Sequence, residues 1–186
     1  MHDSAKDRAA AAAEERRRKT DLFDALPLFD ALPRETCERL ADAARRQVFD
    51  DGEVLVNEGD TGDSLFVLER GKVQVTKSGT TVGTSFVVLA RLKAGDFFGE
   101  MSLLTGAPRS ATIAAEGSCE VLVVDRAAIG PLLAADPSIA EILSQSLAAR
   151  LAATEAKLED RRGRKDEEPA VNLLHRIRAF FSLPDL

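Results

Sequence analysis

The sequence predicts a mainly β domain with flanking helices, in which about eight short strands form an antiparallel sandwich or jelly-roll barrel. The first observation is that apolar residues after Gln47 come in short β-branched or aromatic runs, such as EVLV, SLFVL and CEVLVV. The second is that glycine-centred turns with polar partners, including EGDTGD, ERGK and KAGD, separate these runs. The third is that no long helical pattern interrupts the runs before Val124.

Helices are predicted ahead of the strands. Residues 1–20 are rich in alanine and charged residues and contain no glycine or proline, which favours an exposed helix. Residues 22–33 repeat the hexamer LFDALP, and its two prolines predict short turns instead of one continuous helix. Apolar residues then recur at helical spacing over residues 37–44, so we interpret residues 21–46 as an N-terminal helical bundle.

Helices return after the strands. They begin with a short helix that is predicted to be interrupted near Gly130 and Pro131. A longer helix follows, with Asp136 as its N-cap and a proline in its first turn. Residues 161–186 read as a charged linker and an amphipathic C-terminal tail. We interpret the tail as an interaction segment that docks on a neighbouring surface.

Composition argues against several classes of function. The chain has 186 residues and a formal net charge of -6, which argues against general nucleic-acid binding because phosphate contacts need a basic surface. It has neither a membrane-spanning apolar stretch nor a secretion signal, so we expect a cytoplasmic protein. Cys37 and Cys119 lie among apolar residues and are expected to be free core thiols. His2 and His175 are the only histidines, and we expect no metal, no cofactor and no catalysis.

One interruption between the strands, GDFFGEMSLLTGAPRSAT at residues 95–112, combines groups that suit a phosphorylated ligand. Gly99 permits a tight turn or the close approach of a ligand. The residues after it can form one helical turn, whose N-terminal N–H groups attract anions. Arg109 offers a planar, permanently charged fork for a phosphate. Glu100 accepts hydrogen bonds, so the ligand should also carry hydroxyl groups, as a sugar phosphate or a nucleotide does.

The segment FGEMSLLTGAPRSAT resembles the phosphate-binding cassette of the cyclic nucleotide-binding domain family, and the resemblance extends over residues 21–155. It implies an antiparallel β-roll of about eight strands at residues 47–126, with a short phosphate-binding helix in the cassette at 95–112 and hinge and lid helices at 127–160. It also implies that cAMP or cGMP is the ligand, that the glutamate binds the ribose 2′-hydroxyl and that the arginine binds the cyclic phosphate. The residues that it places around phosphate and ribose are Gly99, Glu100, Met101, Ser102, Arg109, Ser110 and Ala111.

The residues that bind the base are less closely defined. Val75 is a candidate for the wall of the roll, and Arg150 is a candidate lid over the purine through a cation–π contact. The alternative for Arg150 is a solvated charge on a helix. Ser110 occurs in this family with either base, so it does not distinguish cAMP from cGMP. An ion pair across a loop is the alternative to ligand binding for Glu100 and Arg109.

The sequence does not distinguish between several possible effectors of such a domain. The cassette and the tail LLHRIRAFFSL resemble those of C-terminal regulatory domains of bacterial channels, which implies a gated channel whose membrane part precedes residue 1. The alternatives are a freestanding cyclic-nucleotide sensor and a kinase regulatory subunit, for which RRRKT at residues 16–20 resembles a basophilic kinase site. Too few residues follow Asp160 for a helix-turn-helix, which argues against a DNA-binding transcription factor. A homo-oligomer is among the open possibilities.

Overall fold

The computed structural model describes residues 3–78, 86–162, 177–178 and 180–181. The helices are α1 (Asp3–Asp24), α2 (Arg34–Ala43), α3 (Glu100–Thr105), α4 (Arg126–Ala135) and α5 (Ser138–Arg162). The strands are β1 (Arg45–Phe49), β2 (Val54–Val56), β3 (Ser64–Arg70), β4 (Lys72–Ser78), β5 (Phe86–Lys93), β6 (Phe97–Phe98), β7 (Thr112–Ala115) and β8 (Cys119–Asp125). The residues Ile177, Arg178, Phe180 and Phe181 are also helical.

The strands of the described residues form two antiparallel four-stranded sheets, in the orders β1-β8-β3-β6 and β2-β7-β4-β5. In the first sheet, Phe66 of β3 pairs with Val123 of β8 on one side and with Phe98 of β6 on the other. In the second sheet, Val75 of β4 pairs with Ile113 of β7. The predicted fold, an antiparallel β-roll with flanking helices, is confirmed.

Gly71 shows why the turns between strands require glycine. It connects β3 to β4 with a φ of +84°, a left-handed conformation that other residues rarely adopt. A Cβ atom at this position would lie 2.5 Å from the carbonyl oxygen of Ser118 and 2.7 Å from the Cα atom of Cys119. Backbone conformation and the close approach of a second chain segment therefore both select glycine here.

The central strands β3 and β8 are buried on both faces. In β3, Leu65 and Val67 pack in a core cluster with the helices, whereas Phe66 and Leu68 pack in a second cluster inside the roll. This two-sided burial accounts for the nearly continuous apolar runs SLFVL and CEVLVV. Each fully buried large apolar side chain stabilises the fold by about 1.5–3 kcal/mol relative to exposure. The two strands therefore hold the helices and the roll together.

Helix α1 is longer than predicted. The sequence predicts a helix over residues 1–20, whereas α1 continues to Asp24, because Phe23 is buried in the helical core cluster. Most of α1 is exposed and is joined to α2 by ion pairs such as that between Arg16 and Asp42, at 2.6 Å. Since exposed ion pairs contribute only about 0.2–1 kcal/mol each, burial of Phe23 provides most of the attachment.

Helix α4 corrects the predicted interruption near Gly130 and Pro131. It runs through both residues without a break, with Pro131 inside the helix. The buried face of the helix, which includes Ile129, outweighs the hydrogen bond that the proline removes. The carboxylate of Asp136 accepts a hydrogen bond from the N–H group of Ser138 at 3.0 Å, so Asp136 caps α5 as predicted.

The C-terminal segment packs on the same domain. Ile177 is fully buried, in the core cluster that contains Phe23 and Leu143, and Phe181 packs against this cluster. These two residues contact the same chain, and docking of the tail on a neighbouring surface stays a prediction. Apart from the end of α5 and these few residues, the predicted linker and tail at 161–186 lie outside the described residues.

The two cysteines are buried and form no disulfide, as expected. Burial raises the pKa of the Cys37 thiol to about 11, so its reactive thiolate form is scarce at neutral pH. No helix in the described part of the chain is long and apolar enough to cross a membrane. Within the same residues, no group of three or more His, Cys, Asp or Glu side chains could hold a metal ion.

Candidate functional site

An open cavity of about 300 Å³ lies between α3 and the walls of the roll. All the residues that the sequence predicts around phosphate and ribose line it, namely Gly99, Glu100, Met101, Ser102, Arg109, Ser110 and Ala111. Val75, predicted to contact the base, also lines the cavity. The side chain of Arg150 lies outside what the structure describes, so its place over the base stays a prediction.

Two left-handed glycines flank α3. Gly99 precedes the helix with a φ of +85°, and Gly106 follows it with a φ of +70°. A Cβ atom at Gly99 would lie 2.5 Å from the Nη1 atom of Arg109 and 2.6 Å from the carbonyl oxygen of Ser64. The first helical hydrogen bond joins the N–H group of Leu103 to the Gly99 carbonyl at 3.1 Å. The amide groups ahead of it therefore lie at the positive end of the helix, on the cavity wall.

Arg109 is the buried cation of the cavity, and only 7% of its surface is exposed. Its Nη1 atom donates to the carbonyl oxygen of Ser64 at 2.8 Å and to that of Gly99 at 3.3 Å. The guanidinium also lies over the ring of Phe66, 5.5 Å from the ring centroid. These contacts fix the orientation of the side chain and bring its charge to the edge of the cavity.

Arg109 carries its charge in a buried place with three carboxylates nearby. Burial lowers the pKa of the guanidinium, while the charges of Asp63, Glu100 and Asp60 act in the opposite direction. Among the described residues, its side-chain hydrogen bonds go to backbone carbonyls and none goes to a carboxylate. A buried cation without a directly bonded anion is costly, and a phosphate would offset that cost.

The backbone of Arg109 is hydrogen-bonded to a loop from a distant part of the sequence. In this loop, residues 57–63, the N–H group of Gly59 donates to the Arg109 carbonyl at 2.8 Å. The N–H group of Arg109 donates in turn to the carbonyl of Asp60, also at 2.8 Å. The sequence identifies EGDTGD only as a turn, and nothing local in it indicates that the turn contacts the arginine.

The rest of the cavity lining is an apolar wall made mainly by strands β2, β4, β5, β6 and β7. Besides Val75, the residues in this wall are Val56, Ala90, Leu92, Phe98 and Ile113. The sequence patterns did not identify these five residues as part of a binding site. Alternation along β4 and β7 is the signal that could have found part of the wall. The pairing of β4 with β5 shifts by a bulge after Val75, so alternation along β5 alone does not show which side chains face inward.

The model of one protein family, described as the cyclic nucleotide-binding domain, matches residues 46–136. Among curated proteins, the chain is similar to the cAMP-dependent protein kinase regulatory subunit of Eremothecium gossypii, with 34% identity over 113 residues that cover 61% of this chain and 23% of that protein. The corresponding subunit of Dictyostelium discoideum is 44% identical over 90 residues, which cover 47% of this chain and 27% of that protein. The chain thus spans about a quarter of the length of these relatives.

Solved structures with similar folds also include cyclic nucleotide-binding proteins. The regulatory domain of Toxoplasma gondii PKA with cAMP is similar with a TM-score of 0.63 and 28% identity, covering 75% of this chain and 52% of that one. A cyclic nucleotide-binding domain from Methylobacillus flagellatus is similar with a TM-score of 0.66 and 27% identity. That match covers 81% of this chain and 84% of the other.

Proposed function

Because this chain belongs to the cyclic nucleotide-binding domain family, we propose that its cavity binds a cyclic purine nucleotide and that the domain regulates an effector. The observation that carries the proposal is Arg109, a buried guanidinium held at the cavity edge by backbone carbonyls. A cyclic phosphate carries one negative charge, which this cation complements.

We propose the residue roles that the family resemblance implies, for residues that line the cavity. Arg109 binds the cyclic phosphate together with the amide groups at the start of α3 and those after the arginine. Glu100, which lines the cavity at the first position of α3, binds the ribose 2′-hydroxyl. The purine lies against Val75, Ala90 and Leu92, whose side chains supply contact area without hydrogen-bonding groups.

cAMP is the nucleotide that we propose as the preferred ligand. The curated relatives are named as regulatory subunits of a cAMP-dependent kinase, and one similar structure is described with cAMP. Ser110, which lines the cavity, is compatible with either base. The preference therefore rests on the relatives and not on a contact of the described residues.

For the effector, we propose a protein kinase catalytic subunit in place of the channel that the cassette and tail suggest. The curated relatives are kinase regulatory subunits, and channel gating has no support among them. The segment RRRKT at residues 16–20 does not act as an accessible kinase site in this arrangement. It lies within α1, Thr20 is only 2% exposed, and Arg16 is paired with Asp42.

Isothermal titration with cAMP, cGMP and linear 5′-AMP tests nucleotide binding. We expect both cyclic nucleotides to bind, cAMP more tightly, and 5′-AMP to bind far more weakly, because its phosphate carries a different charge and geometry. Absence of heat and of competition with either cyclic nucleotide at millimolar concentration would contradict the proposal. For the effector, a kinase assay should show that the chain inhibits the catalytic subunit of a cAMP-dependent kinase and that cAMP relieves the inhibition.

A further inference from the structure

Gly62, in the loop at residues 57–63, lies against the side chain of Arg109. A Cβ atom at Gly62 would lie 2.6 Å from the Nη2 atom of Arg109 and closer still to its Nε and Cζ atoms. Non-bonded carbon and nitrogen atoms need more than 3 Å, so an alanine at this position and the observed guanidinium cannot occupy the space together.

The usual reason for a glycine does not apply at Gly62. Its φ is not in the left-handed region, unlike that of Gly99 on the other side of the guanidinium. Gly99 is also constrained by the carbonyl oxygen of Ser64, whereas the three atoms that a Cβ at Gly62 would meet first all belong to the Arg109 side chain. The φ of Gly62 therefore does not require glycine, and the closest conflict of an alanine there is with the guanidinium at the end of the Arg109 side chain.

We propose that Gly62 is a positioning residue for the phosphate-binding arginine, an inference that rests on the proposed function. The missing side chain at 62 leaves the space in which the Arg109 guanidinium lies between the loop and α3. The same loop holds the Arg109 backbone through Gly59 and Asp60, so backbone and side chain are set by one element. Filling that space displaces the charge from the cavity edge and leaves the roll folded.

A double-mutant cycle tests this role. We expect Gly62→Ala to weaken cAMP binding by roughly tenfold or more, because the displaced fork loses its charge-assisted hydrogen bonds. In the Arg109→Ala background the same substitution should have no further effect. Thr61→Ala, at an exposed neighbour in the same loop, is the matched control and should bind as the parent does. Equal losses from Gly62→Ala in both backgrounds would overturn the positioning role.

A second arm separates this inference from the proposed function. Thermal unfolding without nucleotide should show that Gly62→Ala lowers Tm in the parent and not in the Arg109→Ala background. If the parent binds no nucleotide but this coupling is present, the proposed function fails and the steric dependence of Arg109 on Gly62 stands. If the coupling is absent, Gly62 does not position Arg109, whatever the parent binds.

A different observation, the position of Phe180, supports a second inference. A Cβ atom at Gly106, directly after α3, would lie 2.6 Å from the Cε2 atom of the Phe180 ring. The guanidinium of Arg126, the first residue of α4, stacks on the same ring at 4.0 Å, and its Nη2 atom donates to the Phe180 carbonyl. Phe180 therefore bridges the end of α3 and the start of α4.

The two helices that Phe180 bridges, α3 and α4, are each connected to the cavity or to the loop that holds Arg109. The first turn of α3 provides Met101 and Ser102 to the cavity lining. The N–H group of Arg126 donates to the carbonyl of Asp63 at 2.9 Å, at the end of the loop that holds Arg109. A shift of α3 relative to α4 therefore breaks the contacts of Phe180.

We infer that the docked C-terminal segment restrains the domain against nucleotide binding, again on the basis of the proposed function. The described residues that line the cavity come from the roll and α3, and none comes from α5. If α5 is the lid that the family resemblance implies, its closing over a nucleotide would move α4 as well, because both helices pack in one core cluster. The segment that ties α4 to α3 opposes this movement, so its release and nucleotide binding favour each other.

Phe180→Ala tests the restraint. We expect cAMP affinity to rise roughly five- to tenfold, within the usual range of coupling between sites. Without nucleotide, amide exchange of Leu103 and Leu104 in α3 should become faster. Phe86→Ala is the matched control, since it truncates a 65% exposed phenylalanine on β5, and it should change neither quantity.

Two outcomes would overturn the restraint: unchanged or weaker cAMP binding by Phe180→Ala, or unchanged exchange in α3. If the parent binds no nucleotide, the proposed function fails and the inferred restraint on binding fails with it. Faster α3 exchange would then still establish the structural bridge between α3 and α4.

Discussion

The two ends of the cavity are built in opposite ways. The proposed phosphate end comes from one contiguous segment, residues 99–111, and offers a buried cation with backbone donors. The proposed base end comes from strands far apart in sequence and offers apolar side chains such as Val75 and Leu92. Charged hydrogen bonds are directional and strong, whereas apolar contact is non-directional. We therefore expect affinity to depend mainly on the first end, and tolerance of different bases on the second.

The largest expected effect on nucleotide affinity comes from substitution of Arg109, at the proposed phosphate end. Arg109→Ala should weaken cAMP and cGMP binding roughly ten- to several-hundred-fold, because each hydrogen bond to a charged group contributes about 1.5–3 kcal/mol. Arg109→Lys should recover only part of the loss, since an ammonium cannot span two oxygens. Calorimetric titration measures both changes. Arg91→Ala removes an exposed arginine that pairs with Glu116 and should leave affinity unchanged. Binding by Arg109→Ala as tight as that of the parent would place the phosphate elsewhere.

A smaller effect is expected at the ribose. Glu100→Ala should weaken cAMP binding less than Arg109→Ala does, because the lost contact is to a neutral hydroxyl. The same variant should bind cAMP and 2′-deoxy-cAMP equally, whereas the parent should prefer the ribose form. Competition titration of the two nucleotides checks this. A ribose preference that survives the substitution would mean that another group binds the 2′-hydroxyl.

At the base end, Leu92→Ala should weaken cAMP and cGMP binding by similar factors of about three- to tenfold, from the lost apolar contact. The ratio of the two affinities should stay nearly constant, because the wall offers no hydrogen bonds to tell the bases apart. Val87→Ala, at an exposed position on the same strand, is the control. A large change in the ratio would show that the wall takes part in base selection.

The smallest expected effect concerns pH. Burial lowers the pKa of the Arg109 guanidinium, but from so high a starting value that the group stays protonated at neutral and mildly alkaline pH. The cyclic phosphate keeps its single charge over the same range. Affinity for cAMP should therefore stay constant from about pH 6 to about pH 9. A change of cAMP affinity within that range that occurs in the parent but not in Arg109→Lys would show that the pKa of Arg109 lies within it.

The grouping of residues 99–102 and 109–111 around one cavity could be predicted from the sequence because these residues are local. Gly99, Glu100 and Arg109 lie within one short segment, and glycine, carboxylate and guanidinium each have a physical role that does not depend on the rest of the fold. The short strands between glycine turns were equally local, which is why the sequence predicts the β-roll. What the sequence misses at this end is the support from Gly62, which depends on a contact between distant segments.

The base end could not be predicted in the same way. Ala90 and Leu92 enter the wall through the pairing of β5 with β4, and the bulge after Val75 changes which side chains face inward. The continuous helix through Pro131 was missed for a related reason. Local propensity predicts an interruption there, whereas burial of the helix in the tertiary structure overrides it.

The position of Ile177 has a consequence for how the chain folds during its synthesis. Its buried side chain shares a core cluster with Phe23, which leaves the ribosome far earlier. The hairpins of the roll join neighbouring segments and can form while the chain is still growing, whereas contacts of long sequence separation form slowly. The helical core therefore stays incomplete until residue 177 has emerged, and during that interval a chaperone can still reach its apolar surface.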